Sequence, residues 1–226
     1  MMYTFGGLPE EYTRLESSRM VILPVPYDGT STWIKGADKG PGAILEASAN
    51  MELYDIDTDS EVYLRGIHTA DPIEGHNDPA DLVDDVKKKV KTYIENGKFV
   101  MTIGGEHSVS IGSIYAHAEA FAPLTVLQID AHTDLRDTYE GSRFNHACVM
   151  ARVREVCDYV QVGIRSMDVS EKPYRRLYQA YASRSVAGLF GASDGDYNDG
   201  GYLYSRRAGG VYIQPHNGSY LAGSSE

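Results

Sequence analysis

Residues 124–134 read LTVLQIDAHTD, and together with GGEHS at 104–108 they decide the fold. The part before AHTD is a β-rich apolar run that predicts a buried strand, and residues 98–103 form another such run just before GGEHS. A helical pattern follows each strand, at 108–120 and at 146–156. Because strands and helices alternate, we expect a mainly parallel sheet covered by helices on both faces, which is an α/β fold.

The same alternation extends to both sides of this stretch. MVILPV at 20–25 predicts a buried strand that ends in a turn, and residues 159–163 predict another strand. GPG at 40–42 is typical of a helix start and leads into residues 43–53. We therefore expect these elements to enlarge one sheet and its helical cover.

The clearest predicted helix covers residues 78–95. Asp78 is a candidate N-cap, Pro79 occupies the first helical position, and Gly97 follows the helix. Apolar side chains recur along one face, which predicts that this face is buried. The apolar stripe consists of Leu82, Val83, Val86, Val90, Tyr93 and Ile94.

The composition limits the possible partners. The 226 residues are enough for one well-cored domain, and the net charge of -11 argues against a nucleic-acid or anionic-membrane surface, since both need clustered Lys and Arg. A small neutral or cationic ligand fits better. Cys148 and Cys157 are too few for a disulfide framework, and no signal peptide or apolar run of about 18 residues is found. We expect a cytoplasmic protein that binds no nucleic acid and no membrane.

Two imidazoles and two carboxylates lie at or just after the predicted strand ends. His107 follows one strand, and Asp130 ends the next one. Ligands bind at the carboxyl ends of parallel strands, so these side chains meet if the two strands are neighbours, as we expect. Asp130 and His132 share a face of an extended segment, to which Asp134 can return as the loop curves. Such ligands suit Mn²⁺ or Zn²⁺, oxygen-rich sites favour Mn²⁺, and Asp130 is placed to bridge two ions.

Each of these features also has a purely structural interpretation. A D-x-H-x-D segment alone is more often a solvated turn than a ligand set, and the addition of His107 is what favours a metal site. His146 opens a predicted helix, where it either caps the helix or shuttles protons beside the metals. Gly104-Gly105 lacks the Lys of a P-loop, so we expect it to allow close backbone packing. The remaining histidines have no partner spacing and are interpreted as structural: His68, His76, His117 and His216.

The motifs together resemble the ureohydrolases, the arginase and agmatinase family. The resemblance covers residues 21–174, which is most of the chain, and the combination of motifs is highly specific. The motifs are PYDGTS at 26–31, GADKGPGAI at 36–44, GGEHS at 104–108, DAHTD at 130–134, LRDTYEG at 135–141, FNHA at 144–147 and VGIRS at 162–166.

The resemblance implies a three-layer αβα arginase-like fold that hydrolyses a guanidinium group to urea and an amine at a binuclear Mn²⁺ centre. By this resemblance His107, Asp130 and Asp134 hold one ion. Asp130 and His132 hold the other, so Asp130 is the bridge. His146 is the proton-shuttling acid/base group. Because a guanidinium carbon is a poor electrophile, the metals are needed to activate water. The resemblance also implies a homo-oligomer.

The segment after DAHTD resembles agmatinases more than arginases. LRD at 135–137 replaces the arginase-type Asn that reads the amino-acid end of the substrate. Agmatine, a small cationic guanidino compound, is therefore the expected substrate, hydrolysed to putrescine and urea in polyamine biosynthesis. Arginase, guanidinobutyrase and formiminoglutamase activities stay open. So do a deacetylase-type amide hydrolase with one Zn²⁺, against which GGEHS argues, and a non-catalytic homologue acting as an interaction subunit.

The C-terminal part departs from the family pattern. The resemblance implies a later D-x-D-x-x-D-P segment whose first two aspartates complete both metals, and the sequence after VGIRS does not contain it. DGDYND at 194–199 has similar spacing, but no β-branched run precedes it and Gly200 replaces the Pro, so it is interpreted as a turn. The stretch 175–226 is rich in Gly, Ser and Tyr without a sustained period, which is typical of disorder or of a shifted reading frame.

We therefore predict two regions. Residues 1–174 form an incomplete ureohydrolase α/β domain whose sheet lacks its C-terminal strands, and residues 175–226 form an atypical tail. With only Asp130 and His132 as ligands, the second ion is expected to bind weakly and activity to be weak or absent.

Overall fold

A seven-stranded sheet lies at the centre of the computed structural model, which describes residues 3–174, 201–205 and 211–214. The strands are β1 (Met20–Val25), β2 (Ile67–Thr69), β3 (Phe99–Gly104), β4 (Thr125–Ile129), β5 (Asp158–Val162), β6 (Gly201–Ser205) and β7 (Val211–Gln214). The helices are α1 (Gly40–Ser48), α2 (Pro79–Glu95), α3 (Val109–Ala120) and α4 (Val149–Val153). Short 3₁₀ turns cover Phe5–Gly7, Glu10–Tyr12, Ala37–Lys39, Val62–Arg65, His146–Cys148 and Val169–Tyr174. None of the described helices combines the length and the apolar character that a membrane span requires.

Most neighbouring strands in this sheet run parallel. The spatial order is β2-β1-β3-β7-β6-β4-β5, and among the described strands β6 runs antiparallel to both of its neighbours. β1 pairs with β3 along its whole length, from Met20 opposite Phe99 to Val25 opposite Gly104. The predicted mainly parallel α/β sheet is confirmed.

The apolar side chains of β1 alternate between two cores, one on each face of the sheet. Val21, Leu23 and Val25 are buried in the larger core, together with side chains of α2, α3 and α4. Ile22 is buried in the second core with Leu45 of α1. A strand covered on both faces carries apolar residues at consecutive positions, as β1 does. Helices therefore lie on both faces, and the predicted αβα layering is confirmed.

α2 begins and ends as its sequence predicts. The Asp78 carboxylate accepts a hydrogen bond from the backbone N–H of Ala80 at 2.8 Å, and Pro79 is the first helical residue. Gly97 follows the helix with a φ of 69°, which glycine adopts at little cost. The buried side chains of the apolar stripe are Leu82, Val83, Val86, Val90 and Tyr93, with Ile94 partly buried beside them.

Three elements differ from the sequence predictions. α1 stops at Ser48 and does not continue to residue 53, because the Ser48 hydroxyl bonds the carbonyl of Leu45 at 2.6 Å and accepts the N–H of Gly6 at 2.9 Å. The helix predicted at 146–156 is divided into a 3₁₀ turn and the short α4. β2 was not predicted, since a three-residue strand is too short to show an alternating pattern.

The expectation that β3 and β4 are neighbours is wrong, because β7 and β6 lie between them. GYLYS at 201–205 and VYIQ at 211–214 are rich in aromatic and β-branched residues, which favour strands. The unpaired edges of β3 and β4 offer them backbone hydrogen bonds. These two segments of the tail therefore form strands, although the sequence predicts no regular pattern there. The remaining predictions for 175–226, including the turn at 194–199, lie outside the described residues.

Candidate metal centre

The GGEHS loop continues the pairing of β3 with β1 beyond the end of the sheet. The backbone N–H of Gly105 donates to the carbonyl of Val25 at 3.0 Å, and that of Glu106 donates to the carbonyl of Tyr27 at 2.9 Å. A Cβ atom on Gly105 would overlap the backbone of Tyr27, so only glycine fits here. The expected close backbone packing is confirmed, and it places His107 at the carboxyl edge of the sheet.

His107 is buried and faces two carboxylates. Its Nδ1 lies 2.7 Å from Oδ2 of Asp134 and 3.7 Å from Oδ2 of Asp130. Burial alone would lower the pKa of the imidazole, but the hydrogen bond to Asp134 and the charges of both aspartates outweigh burial and raise the pKa of His107. One ligand atom from each of these three side chains lies within 4.8 Å of the other two.

Asp130 follows β4 and contacts a histidine through each of its oxygens. Its Oδ1 accepts the backbone N–H of His132 at 2.9 Å and lies 3.6 Å from the Nδ1 of the same residue. Burial alone would raise the pKa of the carboxyl group, but the hydrogen bond from His132 and the charge of His107 lower the pKa of Asp130 to about 2. Asp130 therefore lies ionised between the imidazoles of His107 and His132.

His132 is less enclosed than His107. Its side chain is 47% exposed, and the hydrogen bond to Asp130 raises the pKa of His132 against the opposing effect of burial. The structure thus brings His132 to Asp130 but leaves it outside the close group formed by His107, Asp130 and Asp134.

Asp134 reaches the site through an unusual backbone conformation. Its φ is 49°, in the left-handed region that costs a non-glycine residue about 1–3 kcal/mol. The Asp134 carbonyl accepts the N–H of Met150 at 2.9 Å and the N–H of Ala151 at 3.2 Å. The start of α4 therefore holds the turn that returns the Asp134 carboxylate to the side of Asp130.

The loop after β5 supports the DAHTD segment from one side. The backbone N–H groups of Arg165 and Ser166 donate to the carbonyl of Ala131 at 2.8 and 2.9 Å. The buried carboxylate of Glu171 accepts the N–H of Leu135 at 2.8 Å. VGIRS and DAHTD therefore form one unit at the ends of the neighbouring strands β5 and β4.

His146 lines the same cleft and is held by Thr30. The backbone N–H of His146 donates to Oγ1 of Thr30 at 2.9 Å, and the ring Nδ1 lies 3.3 Å from the same oxygen. Tyr139 packs edge-on against the ring, with 5.9 Å between centroids. Asn145 caps the following turn by accepting the N–H of Ala147 at 3.1 Å. The capping role therefore falls to Asn145 and not to His146.

Acidic side chains line this cleft of about 420 Å³ at different depths. Glu106 is buried, and its carboxylate accepts the N–H and the hydroxyl of Ser108 at 2.9 and 2.6 Å. Burial raises the pKa of Glu106 against these hydrogen bonds. Asp168 is 41% exposed and lies 3.5 Å from Arg136. The carboxylates that line the cleft outnumber the guanidinium group of Arg136, so the cleft suits a cationic ligand.

The sequence motifs did not identify every residue of the site. Thr30 and Glu106 lie within recognised motifs but carry no spacing signal of their own, and Glu171 lies far along the chain from Leu135. Gln128, within β4, also contacts the carboxylates. Their roles depend on contacts that only the folded chain makes.

The donor set fits a divalent metal ion. One buried imidazole and two carboxylates converge from His107, Asp130 and Asp134, and such mixed ligands suit Mn²⁺ or Zn²⁺. Two carboxylates beside the single imidazole of His107 leave an excess of negative charge, which a cation would compensate. A metal ion therefore suits this part of the cleft on chemical grounds.

Comparison with known proteins shows the family of this chain. A model of the arginase family matches residues 18–187. The chain belongs to the arginase family. An N(1)-aminopropylagmatine ureohydrolase of Synechocystis sp. is 42% identical over 154 residues, which cover 65% of this chain and 50% of that protein. An agmatinase of Pyrococcus horikoshii is 33% identical over 174 residues, which cover 74% of this chain and 59% of that protein.

A solved arginase-family relative agrees in fold. The crystal structure of agmatine ureohydrolase of Thermoplasma volcanium matches with a TM-score of 0.65 and 28% identity, covering 71% of this chain and 55% of that chain. The predicted family and the arginase-like fold are confirmed. This arginase-family chain spans about half the length of the Synechocystis relative that it matches.

Proposed function

We propose that this arginase-family protein is a metal-dependent ureohydrolase of the agmatinase type, which hydrolyses agmatine to putrescine and urea. The observation that carries the proposal is the convergence of His107, Asp130 and Asp134 in one acidic cleft. The names of the Pyrococcus and Thermoplasma relatives support agmatine as the substrate.

The proposed metal centre uses the four side chains that the sequence singles out. His107, Asp130 and Asp134 would hold one Mn²⁺ ion, and Asp130 with His132 would contribute to a second. When bound, a pair of divalent ions supplies Lewis-acid activation of water at neutral pH. The negative charges of the carboxylates balance the positive charge of the ions and make the site selective for cations.

Acidic groups of the cleft orient the substrate. Asp168 is ionised, since hydrogen bonds from Ser170 and the charge of Arg136 lower the pKa of Asp168. Its partly exposed carboxylate suits the ammonium end of agmatine, while the guanidinium end lies at the buried carboxylates. Binding both charged ends aligns the guanidinium carbon with the metal centre.

His146 is the proposed acid/base group. Thr30 holds its Nδ1, which leaves Nε2 as the nitrogen that exchanges a proton in the cleft. The departing nitrogen needs a proton, which a positioned imidazole can supply as a general acid. With this proton, the nitrogen that was part of the guanidinium group leaves as a neutral amine.

N(1)-aminopropylagmatine is a second candidate substrate. The Synechocystis relative, at 42% identity, carries the name of that activity. This compound adds a further cationic amine to agmatine, and the open, acidic cleft suits the additional charge. The two substrates share the same guanidinium chemistry.

We also propose that a polypeptide of these 226 residues is a slow enzyme. Among the described residues, the second ion has Asp130 and His132 as candidate ligands, and His132 is half-exposed. Two ligands are few for a firmly bound ion. The first ion is expected to bind more tightly because His107, Asp130 and Asp134 converge.

Urea release in the presence of Mn²⁺ tests these proposals. Agmatine, N(1)-aminopropylagmatine, arginine and guanidinobutyrate are compared, with Asp130→Asn as the inactive variant and Asp84→Asn, on the exposed side of α2, as its control. We expect slow release from one of the first two compounds. Turnover of about 1–10³ s⁻¹ would contradict the impairment. Absence of both Mn²⁺ binding and urea release would overturn the proposed function.

The proposed setting is the cytoplasm, with a homo-oligomer as the assembly. Cys148 and Cys157 are free thiols, as expected in a reducing compartment. The net charge of -11 suits a small cationic substrate and disfavours nucleic acid and anionic membranes. Analytical ultracentrifugation tests the assembly.

A further inference from the structure

Two glutamine side chains form a buried pair beneath the candidate metal centre. Gln128 of β4 lies directly opposite Gln161 of β5 in the sheet register. Gln128 is fully buried and Gln161 is 7% exposed. Buried amides are costly unless hydrogen-bonded, so the partners of this pair indicate what it is for.

The hydrogen bonds orient the amide of Gln128. Nε2 of Gln161 donates to Oε1 of Gln128 at 2.6 Å and to the carbonyl of Thr133 at 2.7 Å. The oxygen of Gln128 is therefore engaged on the side of β5, and its Nε2 must face the opposite side. Only this orientation satisfies both partners, since an ionised carboxylate accepts hydrogen bonds and donates none.

The amide nitrogen of Gln128 faces the two aspartates of the site. It lies 3.2 Å from Oδ2 of Asp130, 3.5 Å from Oδ2 of Asp134 and 3.4 Å from the carbonyl oxygen of His132. These two carboxylate oxygens are the same ones that face Nδ1 of His107. One amide group therefore contacts both carboxylates at the atoms where they approach the imidazole.

We propose that Gln128, oriented by Gln161, is a positioning residue that sets the spacing of the Asp130 and Asp134 carboxylates for a divalent metal ion. Two like charges held close together repel each other, and the amide donor opposes that repulsion at a fixed place. This inference rests on the proposed function, because it assigns the pair to the same metal centre.

Gln128→Met is the principal test, because Met keeps a similar length and volume but removes the donor. Mn²⁺ affinity is measured from the EPR signal of free Mn²⁺, and folding of the metal-free protein is measured by circular dichroism. We expect a loss of affinity of about 10- to 100-fold in a folded variant, as is typical when a partner of metal ligands is removed. Thr102→Val, which alters a buried hydroxyl of β3, is the matched control and keeps wild-type affinity.

Gln161→Met provides a second variant that leaves the donor of Gln128 in place. It frees that amide to rotate, so we expect a smaller loss of affinity than in Gln128→Met. Because Gln161 acts through Gln128, the double variant should lose less than the product of the two single losses. This variant carries the test if Gln128→Met does not fold.

The outcomes separate the inference from the proposed function. If wild type binds Mn²⁺ and both glutamine variants keep its affinity, the inference is overturned and the proposed function stands. The same holds if Thr102→Val loses as much affinity as Gln128→Met, since the effect is then a general one of core substitution. If wild type binds no Mn²⁺, the proposed function and the inference are overturned together.

Discussion

Asp134 combines a strained backbone with a side chain at the centre of the site. Its φ of 49° is better tolerated by aspartate and asparagine than by most other residues. Strained residues persist where surrounding contacts hold them, and here the N–H groups of Met150 and Ala151 do so. The strain therefore coincides with a proposed metal ligand.

Thr30 offers a test of the proposed role of His146. Thr30→Val removes the hydroxyl that bonds both the N–H and the ring of His146 while keeping the shape of the side chain. We expect kcat for urea release to fall by up to about 10²-fold relative to wild type with little change in KM, because a misplaced catalytic group loses rate. The tautomer of His146, measured by NMR, should change as well.

Thr92→Val is the matched control for that substitution. Thr92 lies on the exposed side of α2, away from the cleft, and its hydroxyl bonds only the helix carbonyl of Lys88 among the described residues. Its kinetics and His146 spectrum should match wild type. Unchanged kcat and tautomer in Thr30→Val would contradict the positioning of His146 by Thr30.

Individual site residues were predictable where a motif carried them. His107, Asp130, His132 and Asp134 stand in two short segments, so their spacing alone pointed to a metal site, which stays a prediction. Thr30 was not predictable, because its hydroxyl bonds the distant His146. Gln128 was not predictable, because a glutamine within a strand has no spacing signature and its amide is oriented by Gln161 of another strand.

At the scale of elements, the contact of α2 with α3 depends on Gly112. A Cβ atom there would overlap the backbone of Val83 and Lys87, so Gly112→Ala should lower the free energy of unfolding by about 1–3 kcal/mol through overpacking. Urea denaturation measures this change. Gly42 in α1 has no atom within 4 Å of the place that an added Cβ would take, so Gly42→Ala is the control and should be neutral or stabilising by up to about 1 kcal/mol. Equal stability of the two variants would contradict the tight contact.

His117 of α3 makes the free energy of unfolding depend on pH. Burial lowers the pKa of His117 below its ordinary 6.5, opposed in part by the hydrogen bond to the carbonyl of Ser113. As the pH falls below 6.5, the unfolded chain is protonated first, so the free energy of unfolding decreases until the pH reaches the folded-state pKa. At pH values well above 6.5, His117 adds no pH dependence to the free energy of unfolding.

His117→Phe isolates this contribution, since the ring of Phe can pack beside Phe121 without titrating. Urea denaturation at a series of pH values should show a shallower acid loss of stability in the variant than in wild type. His107 and His132 act in the opposite sense, because their pKa values are raised, and they cancel in the comparison. A difference between the two proteins that does not vary with pH would contradict the prediction.

Elements were predictable where a local pattern specified them. α2 shows a cap, a first-turn proline and an apolar stripe, and its bounds match the prediction. The end of α1 was not predictable, since it depends on a hydrogen bond between Ser48 and the distant Gly6. Strand order was missed for the same reason, because β7 and β6 pair with strands far from them in the chain.

At the scale of the whole molecule, metal binding should stabilise the fold. An ion that binds the folded chain adds about 2.7 kcal/mol to the free energy of unfolding at a hundredfold excess over its dissociation constant. We therefore expect Mn²⁺ to raise the melting temperature of wild type and EDTA to reverse the effect. Calorimetry measures both changes.

Asp134→Asn is the matched variant for this prediction. Asparagine tolerates the positive φ of this position but lacks the charge that faces His107. Its melting temperature should respond to Mn²⁺ much less than that of wild type, whereas Asp84→Asn should respond fully. Equal stabilisation of Asp134→Asn and wild type would show that the ion binds elsewhere.

The sequence by itself determined the α/β class, the arginase family and the two segments that carry the candidate ligands, because periodicity and motif spacing are local properties of the chain. Only the tertiary structure decided that β7 and β6 separate β3 from β4, that Thr30 holds His146, and that Gln128 faces both carboxylates. The physical reason is that hydrogen bonds are short and directional. They depend on how distant segments pack, and the local pattern of the chain does not specify that packing.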